Sequence, residues 1–362
     1  MTHNTIYQQR LTAVRQQFTT WQVDGVLISS PSNRRWLSGF TGSNASLLIT
    51  PNNALLATDF RYWEQATAQA PDFTLFKHQR RAEDDEAFFA AISAANIGIE
   101  ANHVTLTEFD RLQAATPINL IPLAETVEPL RQIKSAAEIE AIAAAAAITD
   151  QAMAQVNNLA RPGMTEKELA WTLEKTMREL GADEMAFTVI VASGPNSALP
   201  HHHPGERVLQ RGDAIIVDMG AQLHGYKSDM TRTFHLGSEP DAQFWAVYNL
   251  ALAAQTAVLT HAKPGMTTLT IDALARDVIT TAGHGDHFGH GLGHGVGLDI
   301  HEAPFLSPLR EEKPVVSGMT VTVEPGVYIP GWGGVRIEEL CHVTSAGLEP
   351  LSRCPKIPII HL

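Results

Sequence analysis

A helix-start motif occurs twice in the second half of this 362-residue chain, and this repeat limits the folds available to it. The segment ARPGMTEKEL begins at residue 160 and returns as AKPGMTTLTI at residue 262. Gly181 and Gly283, each just past the helix that follows, are separated by the same interval. A helix start and a helix end repeated at one spacing indicate duplicated halves, although two short motifs can also match by chance. Binding sites favour the interface between such halves.

The length of the chain exceeds what one hydrophobic core usually supports, so two domains are expected. Before the repeat, short apolar runs such as DGVLISS (24–30) alternate with helical patterns, which predicts an α/β domain over residues 1–128. Within it, SLLIT and ALLATD flank a Pro-Asn-Asn turn and predict a hairpin over residues 46–59. The polar segment 32–46 is expected to be a surface loop. Residues 129–362 are expected to form an α+β domain.

Charge and apolar patterning exclude several classes of partner. A formal net charge of −13 disfavours nucleic acid and anionic membranes, because both require a basic face. No run approaches the roughly 20 apolar residues of a membrane span, and no signal-peptide pattern begins the sequence. Cys341 and Cys354 have neither a CxxC spacing nor the number needed for a disulfide framework. A cytoplasmic enzyme or binding protein is therefore expected.

The stretch HGLGHGVGLDIHE (290–302) combines three histidines with four glycines. A helix is disfavoured there, because each glycine costs about 1 kcal/mol relative to alanine. In an extended segment His290 and His294 share one face, since side chains alternate with a period of two. The glycines also let a ligand or another backbone approach closely. These features suit a metal-and-peptide site, with a Gly/His-rich surface loop as the alternative.

Two aspartates are predicted to lie together on one hairpin. The segment 213–236 has two apolar-rich runs about a central His-Gly turn, and this turn pairs Asp218 with Thr231. Asp229 lies two residues from Thr231, so it shares the face of Asp218. Two carboxylates on an interior face repel each other, and a dication between them would remove that cost. The alternative is that both face solvent, as expected for Asp213 in the preceding turn.

Two glutamates repeat this pattern on a second pair of predicted strands. The runs TVTVE, which ends at Glu324, and VRIEELCHV flank a Gly/Pro loop and are predicted to pair. Arg336 and Glu338 share one face of the second strand, whereas Glu339 takes the other. Glu338 is therefore the interior candidate and Glu339 is expected to point outward.

The resulting set contains four carboxylates and one imidazole: Asp218, Asp229, His294, Glu324 and Glu338. A structural zinc site prefers cysteine and histidine, so this set does not fit one. It suits a two-metal site for Mn²⁺, with Co²⁺ or Zn²⁺ as alternatives. Two ions about 3.5 Å apart can activate water at neutral pH.

Residues 130–350 resemble the pita-bread metallopeptidases, which include methionine aminopeptidase, aminopeptidase P and prolidase. The motifs VDMGA, SDMTRTF, HGLGHGVGLDIHE, VEPGVY and VRIEE occur in order. WLSGFTGSNASLLIT and DFRYWEQA resemble the creatinase/prolidase N-terminal domain, which methionine aminopeptidases lack. The resemblance implies an α/β N-terminal domain and an α+β pita-bread domain with pseudo-two-fold duplicated halves. It further implies a homodimeric Xaa-Pro peptidase that uses two divalent ions and acts on proline-containing peptides.

The resemblance also implies how the ligands are divided between the ions. Asp218 would be a terminal ligand of one ion, and Asp229 and Glu338 would bridge both. His294 and Glu324 would bind the second ion. Glu324 would also carry the proton from the attacking water to the leaving proline nitrogen.

Further roles come from the same resemblance. His201 would lie near the prolyl side of the substrate, while His290 and His301 would bind substrate and stabilise the oxyanion. Arg336 would orient the glutamates by charge-assisted hydrogen bonds, and Tyr328 would lie near the metals. The other histidines nearby are expected to be non-catalytic: His202, His203, His284 and His287.

Substrate length depends on the residue after the His-Glu pair at 301–302. Dipeptidases of the family often carry arginine there, as HExPR, which holds the free carboxylate of a C-terminal proline. This chain has HEAPF, with Phe305 in that place. A buried carboxylate without a partner is costly, so aminopeptidase P is favoured over prolidase. Arg310, Arg34 or Arg35 could supply the missing charge. A creatinase-like enzyme or a binding module is a remote alternative, because such relatives have lost ligands.

Overall fold

The computed structural model describes residues 5–79 and 81–362 and divides into two units, Met1–Arg131 and Gln132–Leu362. Among the described residues, no helix is both long and apolar enough to span a bilayer.

A six-stranded sheet with strand order β4-β3-β2-β1-β5-β6 forms the N-terminal unit. Strand β2 runs antiparallel to β1 and β3, and the other neighbours run parallel. The predicted hairpin is thus confirmed as the β2–β3 pair. The strands are β1 Gly25–Ile28, β2 Ser46–Ile49, β3 Ala54–Thr58, β4 Thr74–Lys77, β5 Asn96–Glu100 and β6 Asn119–Leu123. The helices are α1 Ile6–Trp21, α2 Pro31–Ser38, α3 Trp63–Gln69, α4 Ala82–Ala90, α5 Leu106–Ala114 and α6 Glu128–Arg131.

Helix α2 (Pro31–Ser38) lies where a surface loop was expected over residues 32–46, so that expectation is wrong for residues 32–38. Pro31 begins the helix, where its fixed φ is favourable and its missing N–H is not needed. The Arg34 side chain is buried and donates to the carbonyl oxygens of Ser29 and Ala45, both at 2.8 Å. Polar composition suggested exposure, but backbone carbonyls satisfy this guanidinium inside the unit. Arg34 is therefore occupied within its own unit.

The C-terminal unit combines helices with small, mostly antiparallel sheets. Their strand orders are β11-β10-β7, β20-β12-β9-β8, β13-β14, β15-β18-β19 and β16-β17. The helices are α7 Ala136–Ala154, α8 Val156–Leu159, α9 Glu166–Glu179, α10 Ala242–His261 and α11 Thr268–Thr281. The strands are β7 Glu184–Met185, β8 Ile190–Ser193, β9 Ala214–Met219, β10 Ala221–Leu223, β11 Tyr226–Lys227, β12 Met230–Leu236, β13 Gly293–Gly295, β14 Glu302–Leu306, β15 Thr320–Val323, β16 Gly326–Ile329, β17 Gly333–Arg336, β18 Glu339–Val343, β19 Leu348–Pro350 and β20 Ile359–Ile360.

The two halves of this unit repeat one local arrangement at the spacing seen in the sequence. The turns before α9 and α11 contain glycines with left-handed backbone, Gly163 at φ +91° and Gly265 at φ +93°. Gly163 N–H donates to the Leu209 carbonyl (3.0 Å), and Gly265 N–H donates to the Val315 carbonyl (2.7 Å). In one half α7 and α9 pack on β9 and β12, and in the other α10 and α11 pack on β15 and β18. The repeat predicted from the sequence is therefore present.

Candidate active site

Strand ends bring three of the predicted carboxylates together. Asp218 lies in β9, directly opposite Thr231 of β12 as predicted. Asp229 immediately precedes β12, and Glu338 immediately precedes β18. One carboxylate oxygen from each acid lies within 4.8 Å of the others. The Glu338 N–H donates to the Thr231 carbonyl (3.1 Å), which attaches the start of β18 to β12.

His294 and Glu324 complete the set of five. The Nε2 atom of His294 lies 3.4 Å from a Glu324 oxygen and 3.6 Å from an Asp229 oxygen. Main-chain bonds fix both residues: His294 N–H donates to Thr322 Oγ1 (3.0 Å), and Glu324 N–H donates to the Leu292 carbonyl (2.9 Å). The structure thus places all five predicted ligand side chains around one point.

The cluster gathers four carboxyl groups, of which Asp229 and Glu338 are buried and Asp218 and Glu324 are partly exposed. Burial, and then the neighbouring carboxylates, raise the pKa of Asp229 and Glu338 well above the usual range. Burial also raises the pKa of Glu324 to about 7. Asp218 Oδ1 and Glu338 Oε1 are buried with no hydrogen-bond partner among the described residues. Unpaired buried acceptors are costly, so this donor set fits cations that are not part of the chain.

The imidazole of His294 is held in the form that binds metals. Its Nδ1 lies 3.1 Å from the Gly295 carbonyl, which accepts a hydrogen bond only if Nδ1 carries the proton. Nε2 is then the atom with a free lone pair facing the carboxylates. Burial lowers the pKa of His294 to about 4, so the ring is neutral at pH 7.

Arg336 contacts one aspartate directly and reaches a glutamate through a threonine. Its guanidinium donates to Asp218 Oδ2 (2.7 Å), Tyr328 Oη (2.9 Å) and Thr231 Oγ1 (3.1 Å). Thr231 Oγ1 in turn donates to Glu338 Oε2 (2.7 Å). The expectation that Arg336 orients the glutamates directly is therefore replaced by a bond to Asp218 and a relay to Glu338.

A cavity of about 690 Å³ contains the five candidate ligands together with His201, His290, His301 and Arg336. Tyr328 contacts this group through its hydroxyl, which lies 2.9 Å from His290 Nε2. Burial lowers the pKa of His290 to about 4. The His301 ring packs edge-on against the His294 ring, with centroids 4.4 Å apart. Every predicted substrate-binding histidine is thus in or beside the cavity.

The histidines expected to be non-catalytic lie in two places. His202 and His203 also line the cavity, and His202 Nε2 lies 2.8 Å from the carboxylate of Glu166. His284 and His287 contact each other, Nδ1 to Nδ1, at 3.0 Å. Sequence reasoning treated the segment around Glu166 only as a helix start and missed this partner, which is 36 positions away.

Two acids expected in solvent are buried and paired. Glu339 is on the opposite face from Glu338, but it is only 4% exposed and accepts from Arg232 (2.9 Å) and Lys356 (2.8 Å). Asp213 is 8% exposed and accepts two bonds from one guanidinium, that of Arg207 (2.6 and 2.9 Å). Both expectations of exposure are wrong, because Arg232 from a distant strand covers Glu339 and Arg207 from the preceding loop covers Asp213.

Arg310 returns to the cavity despite its distance along the chain from Glu302. It lines the cavity together with Phe305, and its guanidinium carbon lies 5.1 Å from the centroid of the Phe305 ring. The loop after β14 therefore brings a cation beside the phenylalanine that replaces the arginine of the HExPR motif.

Family models match both units of the chain. The model of metallopeptidase family M24 matches residues 140–345, and the model of the creatinase/prolidase N-terminal domain matches residues 10–133. An uncharacterized peptidase of Bacillus subtilis is 41% identical over 357 residues, covering 97% of this chain and 99% of that protein. The structure of the Xaa-Pro dipeptidase from Bacillus anthracis matches with a TM-score of 0.95 at 39% identity, covering 98% of this chain and 99% of that one. The X-Pro aminopeptidase from Thermotoga maritima matches with a TM-score of 0.87 at 37% identity, covering 94% and 98%.

Proposed function

This chain belongs to metallopeptidase family M24, and on that premise we propose that it hydrolyses the Xaa–Pro bond at the N-terminus of peptides with two divalent metal ions. The observation that carries the proposal is the group of five candidate ligand side chains in one cavity, two of which have buried oxygens with no partner in the part of the chain that the structure describes. The names of the similar structures, Xaa-Pro dipeptidase and X-Pro aminopeptidase, support the choice of bond.

We assign the metal ligands as the resemblance implied. Asp218 would hold one ion, His294 and Glu324 the other, and Asp229 and Glu338 both. Oxygen donors with one imidazole and no thiolate suit Mn²⁺, which we propose, with Co²⁺ or Zn²⁺ as alternatives. Such ions, when bound, activate water and stabilise negative charge on the reacting carbonyl.

The chain's own side chains would bind and orient the peptide. Glu324 lines the cavity and lies beside His294, and we assign to it the transfer of a proton from water to the proline nitrogen. His201, His290 and His301 share the cavity with the carboxylates, which supports their assignment to peptide binding. Arg336 and Tyr328 would hold Asp218 and His290 in place through the hydrogen bonds described above.

The position of Arg310 changes the expected substrate length. Phe305 alone favoured peptides of three or more residues. A guanidinium over that ring can instead pair with the free carboxylate of a C-terminal proline. We therefore propose Xaa-Pro dipeptides as the preferred substrates, and the similarity to the Bacillus anthracis dipeptidase supports this choice. Aminopeptidase P activity is the second candidate, favoured by Phe305 and by the similarity to the Thermotoga maritima enzyme.

Kinetics on matched peptides test the substrate class. We expect kcat/KM for Ala-Pro to exceed that for Ala-Pro-Ala by about tenfold or more under one Mn²⁺ condition, the usual scale of one charge-assisted contact. Arg310→Met should remove this preference, whereas Arg211→Met, at an exposed position before β9, should keep it. A wild-type ratio that favours the tripeptide would assign the chain to aminopeptidase P. Hydrolysis of neither peptide would contradict the proposed function.

Domain limits, assembly and location are also proposed. We take residues 1–128 as the N-terminal domain and 129–362 as the catalytic domain, a limit a few residues before the division after Arg131 and before the end of the N-terminal family match at residue 133. We propose that the protein is a cytoplasmic homodimer. Light scattering on the purified protein measures its molecular mass and so tests the dimer.

A further inference from the structure

Helix α10 carries an amide side chain into an otherwise apolar core. Gln255 is fully buried, and its helix neighbours Ala251, Ala254 and Val258 belong to that core. The amide oxygen Oε1 is buried with no hydrogen-bond partner among the described residues. An apolar side chain would avoid the cost of this unpaired oxygen. The value of the amide must therefore lie in the bonds that its nitrogen donates.

Both of those bonds go to residues that directly precede a proposed metal ligand. Gln255 Nε2 donates to the Val323 carbonyl (3.0 Å) and to the Ile337 carbonyl (2.8 Å). Val323 is followed by Glu324, and Ile337 is followed by Glu338. One buried nitrogen thus connects the two backbone segments that carry the glutamates.

The pairing of the strands shows why a donor is needed there. Val323 faces Glu339 in the β15–β18 pair, and Gly326 faces Arg336 in the β16–β17 pair, so one antiparallel register runs through both pairs. That register sets Glu324 opposite Glu338. Directly opposite residues project their side chains to the same face of a sheet.

Pro325 interrupts the hydrogen bonds at this point. The register sets Pro325 opposite Ile337, and the Ile337 N–H donates to the Pro325 carbonyl (3.4 Å). In an antiparallel pair of this kind both residues normally exchange N–H···O bonds. Proline has no N–H, so the Ile337 carbonyl cannot receive the second bond from its partner. Gln255 provides the donor that Pro325 lacks.

We propose that Gln255 is a positioning residue that keeps Glu324 and Glu338 as direct cross-strand neighbours and so sets the spacing of the oxygens that bind the metals. The inference rests on the metal site of the proposed function but does not depend on the substrate. Residues that orient metal ligands in this way typically contribute 10–100-fold to metal affinity.

Titration of the metal-free, full-length protein with Co²⁺ tests this role. Gln255→Met keeps the approximate length and apolar surroundings of the side chain but removes both donated bonds. We expect it to retain the fold by circular dichroism and to weaken Co²⁺ binding by about tenfold or more. The matched control is Gln113→Met, since Gln113 Nε2 also donates to two backbone carbonyls, those of Thr116 and Ile118. That control should leave Co²⁺ affinity unchanged.

A second substitution separates positioning from general stability. Pro325→Ala restores a backbone N–H opposite the Ile337 carbonyl. Gln255→Met should therefore weaken Co²⁺ binding strongly in the wild type and only slightly in a Pro325→Ala background. Equal losses in both backgrounds, or a lower melting temperature with unchanged Co²⁺ affinity, would overturn the proposal. If the Gln255→Met protein cannot be isolated, the double variant that combines Gln255→Met with Pro325→Ala should still fold, because the backbone N–H introduced at position 325 replaces one lost donor. Failure of the double variant to fold would also count against the proposal.

The role of Gln255 and the proposed peptidase function can fail independently. A wild-type protein that binds Co²⁺ but cleaves no Xaa-Pro peptide would contradict the assigned substrate, while the affinities would still decide the role of Gln255. A wild-type protein that binds no Co²⁺ would overturn the positioning role as well.

Discussion

Two buried carboxylate sites in the C-terminal unit differ in the groups that face them. Glu166 is fully buried and accepts hydrogen bonds from Ser193, Asn196, Gly205 and His202. Burial alone would raise its pKa, but these hydrogen bonds, led by that from His202, hold the pKa below the usual value. Glu338 is buried to a similar degree, but burial and the neighbouring carboxylates raise its pKa.

The difference lies in the supply of donors rather than in burial. Glu338 accepts one side-chain bond, from Thr231, and its other oxygen has no partner among the described residues. Its closest charged neighbours include Asp218 and Glu324, which are also acidic. The chain therefore stabilises the Glu166 carboxylate with its own hydrogen bonds, whereas the donors around Glu338 are fewer and the donor set fits cations from outside the chain.

The largest effect is expected when a member of the second site is neutralised. Glu324→Gln should retain the fold and lower turnover of Xaa-Pro peptides by at least about 10²-fold, the usual contribution of a positioned acid–base group. Glu166→Gln should keep most of the turnover, because Glu166 would have no part in the chemistry. Steady-state kinetics on both variants measure the contrast. Equal losses of turnover would remove the distinction between the two sites.

Glu339, the first residue of β18, is a carboxylate paired within the chain and directly follows Glu338 in the sequence. Glu339→Gln should lower the free energy of unfolding by about 3 kcal/mol, because it leaves buried Arg232 without its anionic partner. Glu349→Gln, at an exposed position on β19, is the control and should change little. Urea denaturation of the two variants measures the difference. A Glu339→Gln protein as stable as the control would show that its ion pairs contribute nothing.

A smaller loss of stability is expected from Glu166→Gln. Removing its charge weakens several bonds to buried donors and should cost about 2 kcal/mol at pH 7. Because the folded pKa is lowered, this stabilisation is complete above the unfolded value of 4.5 and is lost as the pH falls through the folded pKa. Denaturation curves should therefore show the wild type and the variant converging in acid. A gap that widens in acid would contradict the lowered pKa.

The smallest expected effect is a gain, rather than a loss, of stability, and it concerns the metal-free protein. Burial raises the pKa of Glu324 from 4.5 to about 7, so its ionisation opposes folding above that range. Metal-free Glu324→Gln should therefore be more stable than metal-free wild type at pH 8. The gain should be only on the order of 1 kcal/mol, because the Glu324 side chain is partly exposed and water screens its charge. The difference should disappear below the unfolded pKa of 4.5. A variant less stable than wild type at pH 8 would contradict this.

Local signals were sufficient to predict much of the fold and of the metal cluster. The His-Gly turn at 224–225 sets the register, so pairing of Asp218 with Thr231 followed from the sequence. The capping box of Ser135 and Glu138 at the start of α7 is likewise a signal between residues close in sequence. The family, the fold class and the assignment as a metallopeptidase are confirmed. These features depend on residues close in sequence or on motifs in a recognisable order.

Features that depend on distant partners could not be predicted in this way. The alternation of side chains correctly placed Glu338 and Glu339 on different faces of the chain. Nothing close in sequence indicated that Arg232 and Lys356 cover the face of Glu339. The path of the loop that returns Arg310 is likewise not encoded in a short pattern. Gln255 occurs in an alanine-rich helix, and its role is visible only once the register identifies Pro325 as the missing donor.

The metal content of the active protein tests the central claim most directly. We expect elemental analysis of the full-length protein, after loading with Mn²⁺ and dialysis, to give about two ions per chain. Chelation should abolish Xaa-Pro hydrolysis, and Mn²⁺ or Co²⁺ should restore it. Full activity in a preparation shown to be metal-free would contradict the claim that the carboxylate group around Glu338 is completed by metal ions.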